Sequence, residues 1–271
     1  MTNSNQLCPV LFIPHGGGPL PLLGDESHLE LVSFLKEITL SLPLPSSILI
    51  ISAHWEEDKV TITNGKRPSL IYDYYGFPKE MYQIEYPAPG DAVLANIIYK
   101  LFQDSGIEAK LDEQRGFDHG MFVPLKLMFP EAEIPCVQLS LINNLDPESH
   151  FKLGKALSKL RKENVLILGS GFTFHNMQAL MSQNSGVDFK NEEFEQWLID
   201  TCTNPNYSPS LQEQKLIEWS EAPYARYCQP REEHLLPLHV CAGVSGSTAK
   251  LVFEGKVAGK KTSAFLWNDS T

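Results

Sequence analysis

Short apolar runs rich in β-branched residues punctuate this chain, and stretches with helical spacing lie between them. Pro9 to Ile13, Ile48 to Ser52, Ile134 to Leu139 and Val165 to Leu168 are largely continuous in their apolar character. That is the pattern of strands covered on both faces. Lys59 to Thr63, Lys250 to Phe253 and Ser263 to Leu266 mix polar and apolar positions and read as strands nearer a sheet edge. Apolar residues recur at helical intervals in Leu29 to Leu40, Asp91 to Gln103, Pro147 to Lys162, Glu192 to Thr201, Leu211 to Trp219 and Glu232 to Gly243. Asp146-Pro147 marks a helix start, because the aspartate can accept from free N–H groups of the first turn and proline needs no N–H there. Ser208-Pro209 repeats that arrangement.

Strands alternating with helices predict an α/β fold: a single domain over residues 1–271, with its core over about 8–268 and a mixed central sheet flanked by helices. No internal repeat and no shift of composition divides the chain. One segment, residues 68–90, fits neither period. It carries Tyr72, Tyr74, Tyr75, Phe77, Tyr82 and Tyr86, interrupted by Gly76, Pro78, Pro87 and Pro89. A loop of this length inside a compact domain is usually functional or disordered, and its aromatic content favours function.

Composition narrows the partners. Apolar residues make up 42% and charged residues 20%, enough for a packed core. Lys and Arg number 22 against 33 Asp and Glu, a net charge of −11. That field repels a phosphate backbone or an anionic bilayer, so neither nucleic acid nor membrane is an expected partner. No apolar run approaches the roughly 20 residues that span a bilayer. Residues Met1 to Leu7 lack the basic and apolar regions of a signal peptide. Cys8, Cys136, Cys202, Cys228 and Cys241 include no Cys-x-x-Cys spacing, which argues against a disulfide framework or a thiolate zinc site. A cytoplasmic monomer or small homo-oligomer is the expectation.

The eight histidines carry the candidate chemistry. The run ending Phe12-Ile13-Pro14 delivers His15, the run ending Ile51-Ser52-Ala53 delivers His54, and Val165 to Gly169 is followed six residues later by His175. In an open α/β sheet, ligands collect at the carboxyl ends of the strands. If these strands are parallel neighbours, the three imidazoles converge, and imidazole both binds metals and moves protons near neutral pH. The plainer reading of each is a hydrogen-bonded core or loop histidine. Gly16-Gly17-Gly18 permits a sharp turn that leaves His15 uncrowded. His-Gly-Gly-Gly also occurs as the oxyanion loop of lipases, but Leu168-Gly169-Ser170-Gly171 lacks the first glycine of a nucleophile elbow. No Walker lysine follows Gly171.

His119 stands in Gly116-Phe117-Asp118-His119-Gly120, ahead of a helical stretch from Met121 to Phe129. Asp118 either orients an imidazole or caps that helix, and its spacing favours the cap. His234 and His239 are separated by about 500° if both lie on a helix, so at most one enters a common site. His28 and His150, near helix starts, are expected to be structural or exposed. Arg231-Glu232-Glu233 reads as a solvated helix start.

Taken in order, Phe12 to Pro19, Ser52-Ala53-His54-Trp55, Tyr72 to Pro78, Gly116 to Gly120 and Arg231 to Pro237 resemble the class III extradiol ring-cleavage dioxygenases, in particular the DOPA 4,5-dioxygenase-like branch. The resemblance runs from about residue 10 to about residue 266. It implies a mixed α/β sheet core, an oxidoreductase activity and a mononuclear non-haem metal, Fe(II) for activity with Zn(II) possible in the same site. Position by position, it places metal ligands at His15, His54 and His234, an acid/base histidine at His175 and a substrate-facing histidine at His119. Some members carry glutamate as third ligand, which keeps Glu233 open as the alternative to His234. With zinc, His175 is a candidate fourth ligand.

On that reading the substrates are O2 and a small-molecule catechol: DOPA, caffeate or another substituted ring. A ferrous centre with three protein ligands leaves positions for the catecholate and for O2. A histidine can take a phenolic proton and return one as the ring opens. Tyr74 and Phe77, with Tyr72 and Tyr75, are candidates for the substrate wall; a loop packed on the core without substrate contact is the competing account. Two other functions fit a histidine-rich site: a zinc-dependent hydrolase, and a non-enzymatic metal-binding relative.

Overall fold

The four most apolar runs become the middle of one sheet. The computed structural model describes residues 7–181 and 187–268. Along the chain it places β1 (Val10–Pro14), α1 (Leu29–Ile38), β2 (Ser47–Glu57), β3 (Val60–Thr63), α2 (Ala92–Asp104), β4 (Ala109–Asp112), α3 (His119–Met128), β5 (Cys136–Ile142) and α4 (Pro147–Leu157). There follow β6 (Val165–Gly171), α5 (Met177–Met181), α6 (Phe189–Thr203), α7 (Pro209–Ile217), α8 (Ala225–Cys228), α9 (Leu236–Ser245), β7 (Lys250–Val257) and β8 (Lys260–Trp267).

These strands form an eight-stranded mixed sheet in the order β4-β3-β5-β2-β6-β1-β8-β7. The central four, β5, β2, β6 and β1, are parallel to one another. β8 is antiparallel to β1, and β3 is antiparallel to β5. Side chains alternate across the sheet, as a two-residue period demands. Val10, Phe12, Leu49 and Ile51 pack on one face with Leu153 of α4 and Leu238 of α9. Leu11, Ile13, Ile48 and Ile50 pack on the other with Leu31 of α1 and Phe122 of α3.

The caps behave as their chemistry requires. Asp146 accepts from the Ser149 N–H at 2.9 Å, and Ser208 accepts from the Leu211 N–H at 3.2 Å. Three differences from the sequence pattern bear on the site. First, β2 is longer than its apolar run and contains His54. Second, β4 carries no apolar run to announce it: Ala-Lys-Leu-Asp forms a half-exposed edge strand. Third, α9 starts at Leu236, not at residue 232. Pro237 is tolerated only in a helix's first turn, which fixes the start. Residues 231–235 are therefore loop, and His234 stands before the helix. Residues 68–90 hold a short 3₁₀ turn at Lys79–Gln83 and two isolated β-bridges, Leu70 with Phe117 and Gly90 with Cys136. The five cysteines are free and buried. Among the described residues, no helix is long and apolar enough to cross a membrane.

Candidate metal centre

Parallel strand order brings distant histidines together. β6 lies between β2 and β1, with Ser170 opposite both Ser52 and Ile13. His15 follows β1 directly, and its N–H donates to the Gly171 carbonyl at 3.1 Å. The next residue, Gly16, has φ +81°, and a Cβ there would meet Pro21 and His28, so only glycine makes this turn comfortably. His54 reaches the same place by a bulge. Ile51 of β2 faces Leu139 of β5, but Glu56 faces Leu141, so residues 52–55 loop out of register. Such bulges re-aim side chains. His119 is the first residue of α3, and His175 lies four residues beyond β6. The Phe172 N–H donates to the His234 carbonyl at 2.9 Å, which ties the loop before α9 to the end of β6.

Five imidazoles result: the three expected from the strand ends, with the His119 and His234 that the resemblance added. The His15 and His54 rings lie 4.8 Å apart between centroids, and His54 and His119 3.9 Å. His234 is 5.2 Å from His15 and 5.0 Å from His54. His175 stacks on His234 at 3.3 Å. Metal-ligating atoms fall into two groups, each within 4.8 Å: His15, His54 and His119, and His175, Glu233 and His234. The family resemblance placed His119 in the site, whereas its position along the chain alone did not bring it to His15 and His54.

The hydrogen bonds decide which nitrogen faces inward. Ser170 donates its hydroxyl proton to the Gly120 carbonyl, so it can only accept from His15 Nδ1, 3.1 Å away. His15 Nε2 is thereby left with a lone pair. Asp73 Oδ1 accepts from His119 Nδ1 at 2.8 Å, and Glu233 Oε1 accepts from His175 Nδ1 at 3.1 Å and His234 Nδ1 at 3.0 Å. Each of these rings then presents an unprotonated Nε2. Asp73 Oδ2 lies 3.6 Å from His54 Nδ1. Burial, followed by the neighbouring imidazoles, holds His15 and His54 well below the usual histidine range. The same causes push His234 down to about 3. These are neutral rings, the form that ligates metal. Burial works to raise the Glu233 carboxyl, but the bonds from His175 and His234 outweigh it and hold it well below the carboxylate range.

Two expectations need correcting. Arg231 to Glu233 is not a solvated helix start: Arg231 makes a bidentate pair with Glu56 at 2.5 and 2.6 Å, and buried Glu233 bridges two imidazoles. Asp118 occupies the cap position of α3 without capping it. Its buried carboxylate instead accepts from Ser52 Oγ at 2.7 Å and from Gln138 Nε2, and burial raises its pKa. The α3 N–H at His119 is taken by Asp73 at 3.0 Å. Asp73 and Ser170 are the site residues that sequence reading missed.

Of the other histidines, His239 is buried and bonded to the Leu216 and Leu235 carbonyls, away from the cluster. His28 and His150 are structural and fully buried: each accepts a backbone N–H, from Gly17 and Ile142 respectively. In the tyrosine-rich segment, Tyr74 is buried 5.8 Å from the His119 ring, with Phe77 packed edge-on against it. The hydroxyls of Tyr72, Tyr74 and Tyr86 donate to the backbone carbonyls of Ile84, Met81 and Phe129. Tyr75 is exposed.

His15 Nε2 and His54 Nε2 stand 3.0 Å apart. Two nitrogens at about 2.0–2.1 Å from one cation are separated by about 2.9 Å at a right angle and about 3.4 Å in a tetrahedron. The donor set therefore fits a divalent metal, with neutral nitrogens inside and carboxylates behind them orienting the rings.

Similarity to known proteins agrees with this geometry. Residues 12–264 match the family described as the catalytic LigB subunit of aromatic ring-opening dioxygenase. The chain belongs to this family, the class III extradiol dioxygenases, which are non-haem metal enzymes. It is 40% identical to the dioxygenase tasH of Hapsidospora irregularis, over 90% of this chain and 80% of that protein. It is 38% identical to the 4,5-DOPA dioxygenase extradiol of Beta vulgaris, covering 92% of this chain and 91% of that one. The crystal structure of an uncharacterized protein from Escherichia coli K12 superposes with a TM-score of 0.77 at 27% identity, over 96% of this chain and 99% of that one.

Proposed function

We propose that this enzyme opens the ring of a DOPA-like or related substituted catechol with O2, at one metal ion held by His15, His54 and His234. The observation that carries the reading is the inward-facing set of unprotonated Nε2 atoms at the carboxyl ends of parallel strands. The relatives named for 4,5-DOPA support a catechol as substrate. Fe(II) bound to these nitrogens supplies the electronic link between catecholate and O2, and Zn(II) fits the same donors without redox chemistry.

The protein's own groups then have distinct tasks. His15 and His54 fix the metal from β1 and β2. His234 faces both at about equal ring distances of 5.2 and 5.0 Å, with Glu233 behind it. Glu233 thus serves as an orienting carboxylate, and its neighbour His234 as the third ligand. His175 takes the phenolic proton at Nε2. Glu233 holds its Nδ1 proton and stabilises the imidazolium that forms. His119 hydrogen-bonds the substrate. Tyr74 and Phe77 form the wall for the planar ring. Five buried thiols suit a reducing cytoplasm.

The test is metal content of anaerobically purified protein, paired with activity on catechols after iron reconstitution under air. Yellow ring-opened product with oxygen uptake supports ring cleavage. Hydrolysis that depends on zinc, or tight metal binding with no turnover, would each overturn it.

A further inference from the structure

One carboxylate in the tyrosine-rich segment has contacts that its loop position does not require. Asp73 lies between Tyr72 and Tyr74, and its Oδ1 accepts twice from one residue: from the His119 N–H at 3.0 Å and from His119 Nδ1 at 2.8 Å. The first bond caps α3, a task that Asp118 leaves undone because its own carboxylate is turned to Ser52 and Gln138. The second fixes the ring. Together they set the place, the rotation and the tautomer of one imidazole. The other oxygen, Oδ2, stands 3.6 Å from His54 Nδ1, on the far side of that ring from His15.

We propose that Asp73 is a positioning residue for ring cleavage: it locks the His119 proton on Nδ1, so that Nε2 meets the substrate as a hydrogen-bond acceptor. The alternative tautomer would donate from Nε2 and oppose a catechol hydroxyl that must give up its proton. The same residue links substrate wall to chemistry, since Tyr74 beside it packs 5.8 Å from the His119 ring. The proposal rests on the reading of His119 as the substrate-facing histidine.

The test reads the tautomer directly. Zinc-loaded protein with ¹⁵N-labelled histidine is examined by NMR, and wild type is expected to show His119 protonated on Nδ1 alone. Because one oxygen, Oδ1, serves both the α3 N–H and Nδ1, Asp73→Ala removes the acceptor that holds the ring proton. It is expected to let the His119 proton populate Nε2, with metal stoichiometry unchanged. In iron-loaded enzyme the same substitution should lower kcat by about 10- to 100-fold, with KM changed far less. On a His119→Ala background it should have almost no further effect. A wild-type His119 protonated on Nε2 overturns the proposal, and this needs no folded variant. So does a tautomer in Asp73→Ala identical to wild type, a tautomer change with unchanged kcat, or a full effect without His119. If wild type opens no ring at all, the dioxygenase reading fails while the tautomer result still stands.

Discussion

At the scale of the residue, one hydroxyl and two carboxylates arrange five imidazoles. Ser170 turns His15, Asp73 turns His119 and faces His54, and Glu233 turns both His175 and His234. On the proposed function, metal binding and proton transfer fall to different rings and can be separated by mutation. His15→Ala and His54→Ala should each abolish tight metal binding while leaving the fold, as read by metal analysis and circular dichroism. His234→Ala should do the same; full occupancy in that variant would move the third ligand to Glu233 or His119. His175→Ala should keep much of the iron and lose about 10²- to 10⁴-fold in turnover. Metal loss in that variant with either iron or zinc would make His175 an obligatory ligand instead. His15, His54 and His175 were legible because each follows an apolar run, and His119 because it stands in a short glycine-flanked segment; His234, in Glu232-Glu233-His234-Leu235, came from the family resemblance alone. Asp73 and Ser170 were not, because an acceptor's role is defined by its partner, and these partners lie 46 and 155 positions away.

Elements determine how tightly the cluster is held. Gly120, the second residue of α3, faces the β2 bulge, where a Cβ would come within 2.6 Å of Ser52 Oγ and 3.1 Å of His54 Cδ2. Gly120→Ala should therefore displace His54 and disturb the Ser52–Asp118 bond. A loss of about 1–3 kcal/mol of stability is expected, together with weaker metal binding, measured by thermal unfolding and metal titration. The apolar strands and the capped helices were readable from their periods and start signals. The bulge was not, since nothing in Ser52-Ala53-His54-Trp55 encodes how many residues of β5 will oppose it. The late start of α9 was readable in principle from Pro237, but the helical spacing of residues 232–243 concealed it.

For the whole molecule, the sheet buries charge as well as apolar surface. Glu195 of α6 is fully buried against β8, where Oε2 accepts from Ser263 Oγ at 2.8 Å. Its Oε1 has no partner among the described residues. Burial pushes this carboxyl up to about 7, from 4.5, against the opposing bonds from Thr173 and Ser263. A raised carboxyl binds its proton more strongly in the folded state, so its contribution is most favourable below the unfolded pKa. It declines as pH rises through the folded value. Glu195→Gln removes this dependence. The melting temperature of the variant relative to wild type should rise between about pH 5 and pH 8, with a span on the order of 3 kcal/mol from the shift in pKa. A constant difference across that range would show that Glu195 titrates normally. The mixed α/β architecture was legible from alternating strand and helix patterns, whereas this polar network was not. It joins Thr173, Glu195 and Ser263 from three separate stretches, and single-sequence periodicity carries no such pairing.

The hydroxyls of Tyr72, Tyr74 and Tyr86 are all committed to backbone carbonyls. If Tyr74 and Phe77 form the substrate wall, as proposed, that wall offers the substrate ring faces and edges, with no free hydroxyl from Tyr74 to reward a particular side-chain substituent. Discrimination of that kind follows contour. One added or missing methylene in an apolar pocket changes specificity by only about 1–3 kcal/mol, and an isosteric polar substituent is rejected weakly. The enzyme should accept catechols with acidic, amino-acid or alkyl side chains at comparable kcat/KM, and should fall off when bulk is placed on the ring beside the hydroxyls. Phe77→Ala should blunt that fall by widening the slot, whereas Tyr74→Phe should leave the ranking of substrates as it was. Breadth of diet, rather than devotion to one catechol, is what such a wall dictates.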